Sequence, residues 1–256
     1  MKFGVCKTFD MAGKIKSAGY DYIEANLSKV ASFTKEEFDM QQMLLADAGI
    51  TCESANSFFP SEIALVGDGV DFDDIREYVE IALYRASVLG IKVAVLGSGK
   101  ARNIPKGYDR SLAVEQFKKV VRICADVGRK YGIKIALEHL NTGETNLLNT
   151  VYETYEFCKE IADENVGMVV DFFHMFKECE NVSILEKAKD YIFHLHIARP
   201  NDDRKAPCEE DIDTLKIWAD AVKKIGYNER MSLECTSKTD FDEALENMAN
   251  VKYIFE

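Results

Sequence analysis

The chain has 256 residues, 47% hydrophobic and 30% charged, a profile that fits a folded globular domain and excludes disordered and fibrous classes. Its 32 basic and 44 acidic side chains leave a net charge of −12, the wrong sign for a protein that tracks nucleic-acid phosphates. No apolar run nears the roughly 18–20 residues that cross a bilayer, and the opening MKFGVCKTFDMAGK lacks the apolar centre of a secretion signal, so a cytoplasmic location is expected.

KFGVC (2–6) opens the chain as a first strand. A phrase then recurs, an amphipathic segment, a Gly and a short apolar run: AGYDYIEANL at Gly19, AGITCESAN at Gly49, LGIKVAVLG at Gly90, YGIKIALEHL at Gly132 and IGYNERMSLEC at Gly226. Helical periodicity precedes two of these, in Ile75, Tyr78, Val79, Ala82, Ala86 and Leu89, and again in Val114, Phe117, Val120, Val121, Cys124 and Val127. Each Gly is expected to cap a helix in the left-handed conformation, and each run that follows to be a buried strand. GMVVDFF (167–173) and YIFHLHIA (191–198) add strands without that phrase, making eight strands, each followed by a helix-length segment. Alternating βα units with nearly continuous apolar strands predict a parallel sheet under helices. Eight units over residues 1–256 predict one α/β domain, a closed (β/α)8 TIM barrel, with an open doubly wound sheet as the alternative. The irregular segments 56–72, 97–108 and 198–210 all follow strands, at the end that carries the active site in a barrel. Seven cysteines with no C-x-x-C pair read as reduced thiols, not as a disulfide or zinc framework.

Several strands finish in ionisable residues: strand two in Glu24, five in Glu138, six in Asp171, seven in His194 and His196, eight in Glu234. Strand alternation puts Glu138 on the face of Ala136 and turns His139 toward the helix layer, for a structural role. His194 and His196 share the inward face, His196 nearer the mouth, while Asp171 and His174 straddle the exit of strand six. Three carboxylates crowded into one cavity would have raised pKa values or destabilise the fold, a cost that a divalent cation removes. Glu138, Asp171, Glu234 and His196 make an oxygen-rich set that favours Mn²⁺ or Mg²⁺ over zinc. Cys235, of opposite parity to Glu234, should not be a ligand.

IALEHLNTGETN (135–146), VVDFFHMF (169–176), FHLHIARPNDDR (193–204) and MSLEC (231–235) resemble the xylose isomerase-like TIM barrels, and among them the sugar phosphate isomerase/epimerase group that contains the D-tagatose 3-epimerases. GSGKARNIPKGYD (97–109) is similar to a segment of many members. The resemblance implies one divalent ion, Mn²⁺ with Mg²⁺ or Co²⁺ as alternatives, on Glu138, Asp171, His196 and Glu234. It implies inversion of C3 of a ketose through a cis-enediolate, with Glu138 and Glu234 as the catalytic pair on opposite faces of the sugar. Glu144 and His174 correspond to residues that hold the C1–C2 oxygens, and Arg204 is the expected substrate-contacting arginine, although neither it nor Arg199 sits at the family's usual offset after H-x-H. A homo-oligomer, dimer or tetramer, is implied, with a small sugar as substrate and no nucleic-acid or membrane partner. Alternatives are the catalytic subunit of a C-glycoside deglycosidase, a lyase with a small β partner subunit; an aldose–ketose isomerase of the hydroxypyruvate type; and a non-catalytic carbohydrate-binding barrel. An abasic-site DNA-repair endonuclease is disfavoured, because its histidine-rich zinc cluster exceeds what four histidines provide. Ser98, Lys100 and Arg102 offer a phosphate site or a subunit contact.

Overall fold

The structure, a computed structural model, describes residues 1–201, 204–235 and 251–255. Eight parallel strands close into a barrel in sequence order: β1 (Lys2–Cys6), β2 (Tyr22–Asn26), β3 (Thr51–Asn56), β4 (Val93–Leu96), β5 (Lys134–Glu138), β6 (Val166–Asp171), β7 (Ile192–Ile197) and β8 (Arg230–Leu233), which pairs back onto β1. Around them lie α1 (Ala12–Ser17), α2 (Leu27–Ser32), α3 (Lys35–Ala48), α4 (Phe72–Leu89), α5 (Arg110–Tyr131), α6 (Val151–Ile161), α7 (Phe172–Lys177), α8 (Ile184–Ala188) and α9 (Ile212–Lys224). The closed sheet rules out the open doubly wound alternative. Most of the helix-length segment expected after β8 lies outside the described residues.

The caps and faces follow from local chemistry. Gly19, Gly49, Gly90, Gly132 and Gly226 all have positive φ, between +62° and +91°, as the recurring phrase predicts. α5 buries Phe117, Val120, Val121, Cys124 and Val127 on one face, each large apolar side chain contributing about 1.5–3 kcal/mol when removed from water. One expected boundary is corrected: Phe172 and Phe173 start α7 and do not extend β6. The cause is Asp171, whose Oδ1 accepts hydrogen bonds from the N–H groups of Phe173 and His174 at 2.8 and 3.3 Å and so starts the helix.

Inside the barrel, alternation produces two different walls. Val93, Val95, Ala136 and Val169 pack as an apolar patch from β4 to β6. Tyr22, Glu24, Ser54, His194 and Ser232 form a buried polar wall from β2, β3, β7 and β8. All seven cysteines are free thiols. Among the described residues, no helix is long and apolar enough to cross a membrane.

Candidate active site

At the C-terminal ends of the strands, Glu138, Asp171, His196 and Glu234 each offer one ligand-type atom, and these atoms all lie within 4.8 Å of one another. Alternation lifts Glu138 above Ala136, Asp171 above Val169 and His196 above His194. Glu234 sits one residue past β8, held by its N–H donating to the Ile197 carbonyl at 3.0 Å. Donors roughly 2.0–2.6 Å from one hard cation cannot stand more than about 5 Å apart, so these residues fit a single divalent ion.

His196 joins this cluster to the polar wall beneath it. Its Nδ1 faces Glu138 Oε1 at 2.8 Å and Glu234 Oε2 at 3.0 Å, while its Nε2 donates to Glu24 Oε1 at 2.9 Å. Nδ1 is therefore the atom left to face a metal, with Nε2–H anchored by a carboxylate. Glu24 Oε2 also accepts from His194 Nε2 at 2.7 Å, Ser54 Oγ at 2.7 Å and Ser232 Oγ at 2.5 Å. Burial alone would raise the Glu24 pKa, yet His196 and His194 hold it well below the usual carboxylate range. His194 is buried and hydrogen-bonded one layer down, the depth that its spacing predicts.

The cluster itself carries an excess of acid. Burial and the nearby Glu234 push Glu138 up to about 7, with His196 opposing. Burial also disfavours the Glu234 anion, but Arg204 and His196 outweigh it and hold that carboxyl well below its ordinary value. Arg204 reaches in from the loop after β7, its Nη2 2.9 Å from Asp171 Oδ2 and 2.6 Å from Glu234 Oε2, with the guanidinium over the Phe173 ring. Arg199 turns the other way, toward Asp211 and Glu210 at 3.3 Å each. The structure thus brings Arg204, the arginine expected to contact substrate, to the acids and turns Arg199 away. Asp202 and Asp203 between them lie outside the described residues.

Glu144 lies at the edge, accepting from Asn141 Nδ2 at 3.0 Å and standing 3.8 Å from Arg204. His174 is fully buried; its Nδ1 accepts from the Asn141 N–H at 3.2 Å, so Nε2 carries the proton, 3.5 Å from Asp171 Oδ2. Burial and then Arg204 push His174 down to about 3, which keeps it neutral. His139 stays out of the cluster, as expected: its Nε2 accepts from the Asp171 N–H at 3.2 Å and its ring lies edge-on to His174.

Four contributors were missed or misplaced. Glu24 was visible as a strand-end acid but had no assigned role. Asn56, at the end of β3, donates to Glu234 Oε1 at 2.7 Å. Gly97 leaves the space that Glu138 uses, since a Cβ there would collide with Glu138 Oε2. Arg102, expected in a phosphate site or a subunit contact, is completely buried; it donates to the carbonyls of Glu138 and Leu96 at 2.7 and 3.3 Å and braces the end of β5. Of that loop, Ser98 and Lys100 remain beside a polar cavity of about 290 Å³ that also borders Ser57, Glu138 and Glu144.

Residues 12–251 match the family model described as xylose isomerase-like TIM barrel. An inosose isomerase of Bacillus velezensis is 26% identical over 238 residues, 84% of this chain and 79% of that one. An L-ribulose 3-epimerase of Methylomonas is 26% identical over 234 residues, 90% and 79% of the two chains. The crystal structure of the IOLI protein with a zinc atom shares the fold with a TM-score of 0.77 at 20% identity, covering 100% of this chain and 98% of that one.

Proposed function

The chain belongs to the xylose isomerase-like TIM barrel family, and on that footing we propose that it is a divalent-metal-dependent sugar epimerase or isomerase that inverts C3 of a ketose. The observation that carries this reading is the convergence of Glu138, Asp171, His196 and Glu234 on one point at the barrel mouth. These four would hold the ion, which when bound polarises neighbouring carbonyl and hydroxyl oxygens of a sugar. The relatives named isomerase and 3-epimerase support the reaction class, and the zinc atom of the structural neighbour supports a divalent ion. The oxygen-rich donor set favours Mn²⁺ or Mg²⁺, and the family resemblance favours Mn²⁺ of the two.

Glu138 and Glu234 approach from β5 and from the end of β8, and both meet His196 Nδ1, at 2.8 and 3.0 Å. One carboxylate removes the C3 proton and the other returns a proton to the opposite face, which inverts the carbon. Their surroundings are unequal, burial and Glu234 favouring the proton on Glu138 while Arg204 disfavours it on Glu234. Arg102 and Gly97 set the position of Glu138, and Asn56 that of Glu234. Glu144 and His174 would meet the oxygens at the C1–C2 end, and Arg204 would contact the substrate. A dimer or tetramer belongs to the same proposal and is read by light scattering.

The test is metal analysis of the purified protein, then incubation of the metal-loaded enzyme with ketoses in D₂O. Deuterium at C3 with inversion supports the epimerase, and deuterium at C1 or C2 moves the assignment to an isomerase. A metal-loaded protein that exchanges no carbon-bound proton of any ketose or inosose overturns the proposal.

A further inference from the structure

The mouth of the barrel opens sideways into a second cavity of about 700 Å³, bordered by Asn56, Ser57, Arg204 and Glu234 on the side of the acid cluster. Its far wall is mostly apolar and is made by the second βα unit, which carries two helices; Asn26, Lys29 and Gln41 of the same unit also line the cavity. Asn26 caps α2 by accepting from the Lys29 N–H at 2.9 Å, and Thr34 caps α3 through a reciprocal pair with Glu37. The two caps bracket Phe33, the turn between the helices. Val30 on α2, Phe33, and Met40 and Leu44 one turn apart on α3 then face the cavity, with Phe9 from the segment after β1. Met40 stays 58% exposed, so the apolar wall runs out to the surface.

A sugar does not suit this wall. Most carbons of a sugar carry a hydroxyl, and setting those groups against Phe9, Val30, Phe33, Met40 and Leu44 would strip their water where these five side chains offer no hydrogen-bond partner. The polar cavity of about 290 Å³ on the other side of Arg204, with Ser57, Ser98, Lys100 and Glu144, has the partners that hydroxyls need. Glu234, Arg204 and Ser57 border both cavities, so one molecule that meets the acid cluster can extend into both. The larger cavity has the volume and the mostly apolar lining typical of sites for drug-sized ligands.

Resting on the sugar-epimerase reading, we propose that the substrate is a keto sugar bearing an apolar substituent, an aryl or alkyl aglycone or ester chain, which seats against α2 and α3 while the sugar meets the metal cluster and the polar cavity. The apolar group supplies binding energy remote from the reacting carbon, and Arg204 stands where the two parts join.

Isothermal titration of the metal-loaded protein tests this with two probes, the nitrophenyl glycoside of a keto-glucose and an octanoyl ester of fructose, each against its unsubstituted sugar. The substituted forms should bind about 10- to 100-fold more tightly, the range that one buried apolar group provides. Phe33→Ala and Met40→Glu should cut that preference by about tenfold. Met43→Glu, on the same helix, 64% exposed and outside the cavity lining, should leave it intact and shows that a charge on α3 is tolerated. Equal affinity for substituted and parent sugars, or a preference that Phe33→Ala and Met40→Glu do not move, overturns the apolar subsite. Deuterium exchange is scored separately: exchange without a substituent preference removes the subsite and keeps the epimerase, and a preference without exchange does the reverse.

Discussion

Glu24 and Glu138 are both buried carboxylates inside one barrel, and they live under opposite conditions. Glu24 is met by two histidines and two serines, so its charge is balanced and its oxygens are occupied. Glu138 shares its space with Asp171 and Glu234, against His196 and the reach of Arg204, and it is pushed up to about 7. A buried charge is tolerable where donors surround it, and costly where like charges gather. Glu24 therefore has its charge balanced inside the wall, whereas the mouth gathers carboxylates that a divalent cation would balance. His196 belongs to both, one nitrogen in each.

Removing an acid at the mouth has the largest expected effect. Glu138→Gln and Glu234→Gln should each lower turnover by about 10²–10⁴-fold, with the double variant little worse than either single one, because the pair acts as a unit. Either variant retaining more than about a tenth of activity with metal bound would put the two-acid mechanism aside.

In the polar wall the expected loss is of stability. Glu24→Ala leaves His194, His196, Ser54 and Ser232 without their shared acceptor and should cost about 3–5 kcal/mol in urea unfolding. A cost below about 1 kcal/mol would mean that the network is not holding the barrel together. His196 and His194 then divide the two regions. His196→Gln should lower metal affinity at least tenfold, while His194→Gln should keep the metal and lose stability. Equal loss of metal in both variants erases the division.

The smallest effect is a slope. Burial, reinforced by His174, pushes His139 down to about 3 from 6.5. Between those values the unfolded chain binds a proton that the folded chain refuses, so this contribution to stability is present above 6.5 and is lost as pH falls. One such proton changes stability by about 1.4 kcal/mol per pH unit. In chelator-treated protein, His139→Gln should flatten the acid slope by about that amount between pH 6 and 4. Parallel slopes for the two proteins would show that His139 takes its proton in the fold after all.

Much of the site was legible because strand alternation is a local rule. It placed Glu138 and His196 on the inward face, set His194 a layer deeper and turned His139 outward, with no knowledge of neighbouring strands. Arg199 and Arg204 could not be told apart in the same way, because loop offsets carry no face. Arg102 was misread since a basic residue in a Gly-containing loop gives no sign of whether its guanidinium points to solvent or to backbone carbonyls.

The alternation of strands and helices, the glycine caps and the inward parity of Glu138 and His196 were determined by the sequence, through periods of two and 3.6 residues that act over a few positions. Barrel closure decided the rest. It brought Glu24 to His194 across 170 positions and to Ser232 across 208, and set Asn56 against Glu234 across 178. It also swung Arg204 into the acids and stood α2 and α3 beside the mouth as an apolar wall. Such partners are chosen by which strands become neighbours and by the charge already waiting there, and neither is written within the reach of a local pattern.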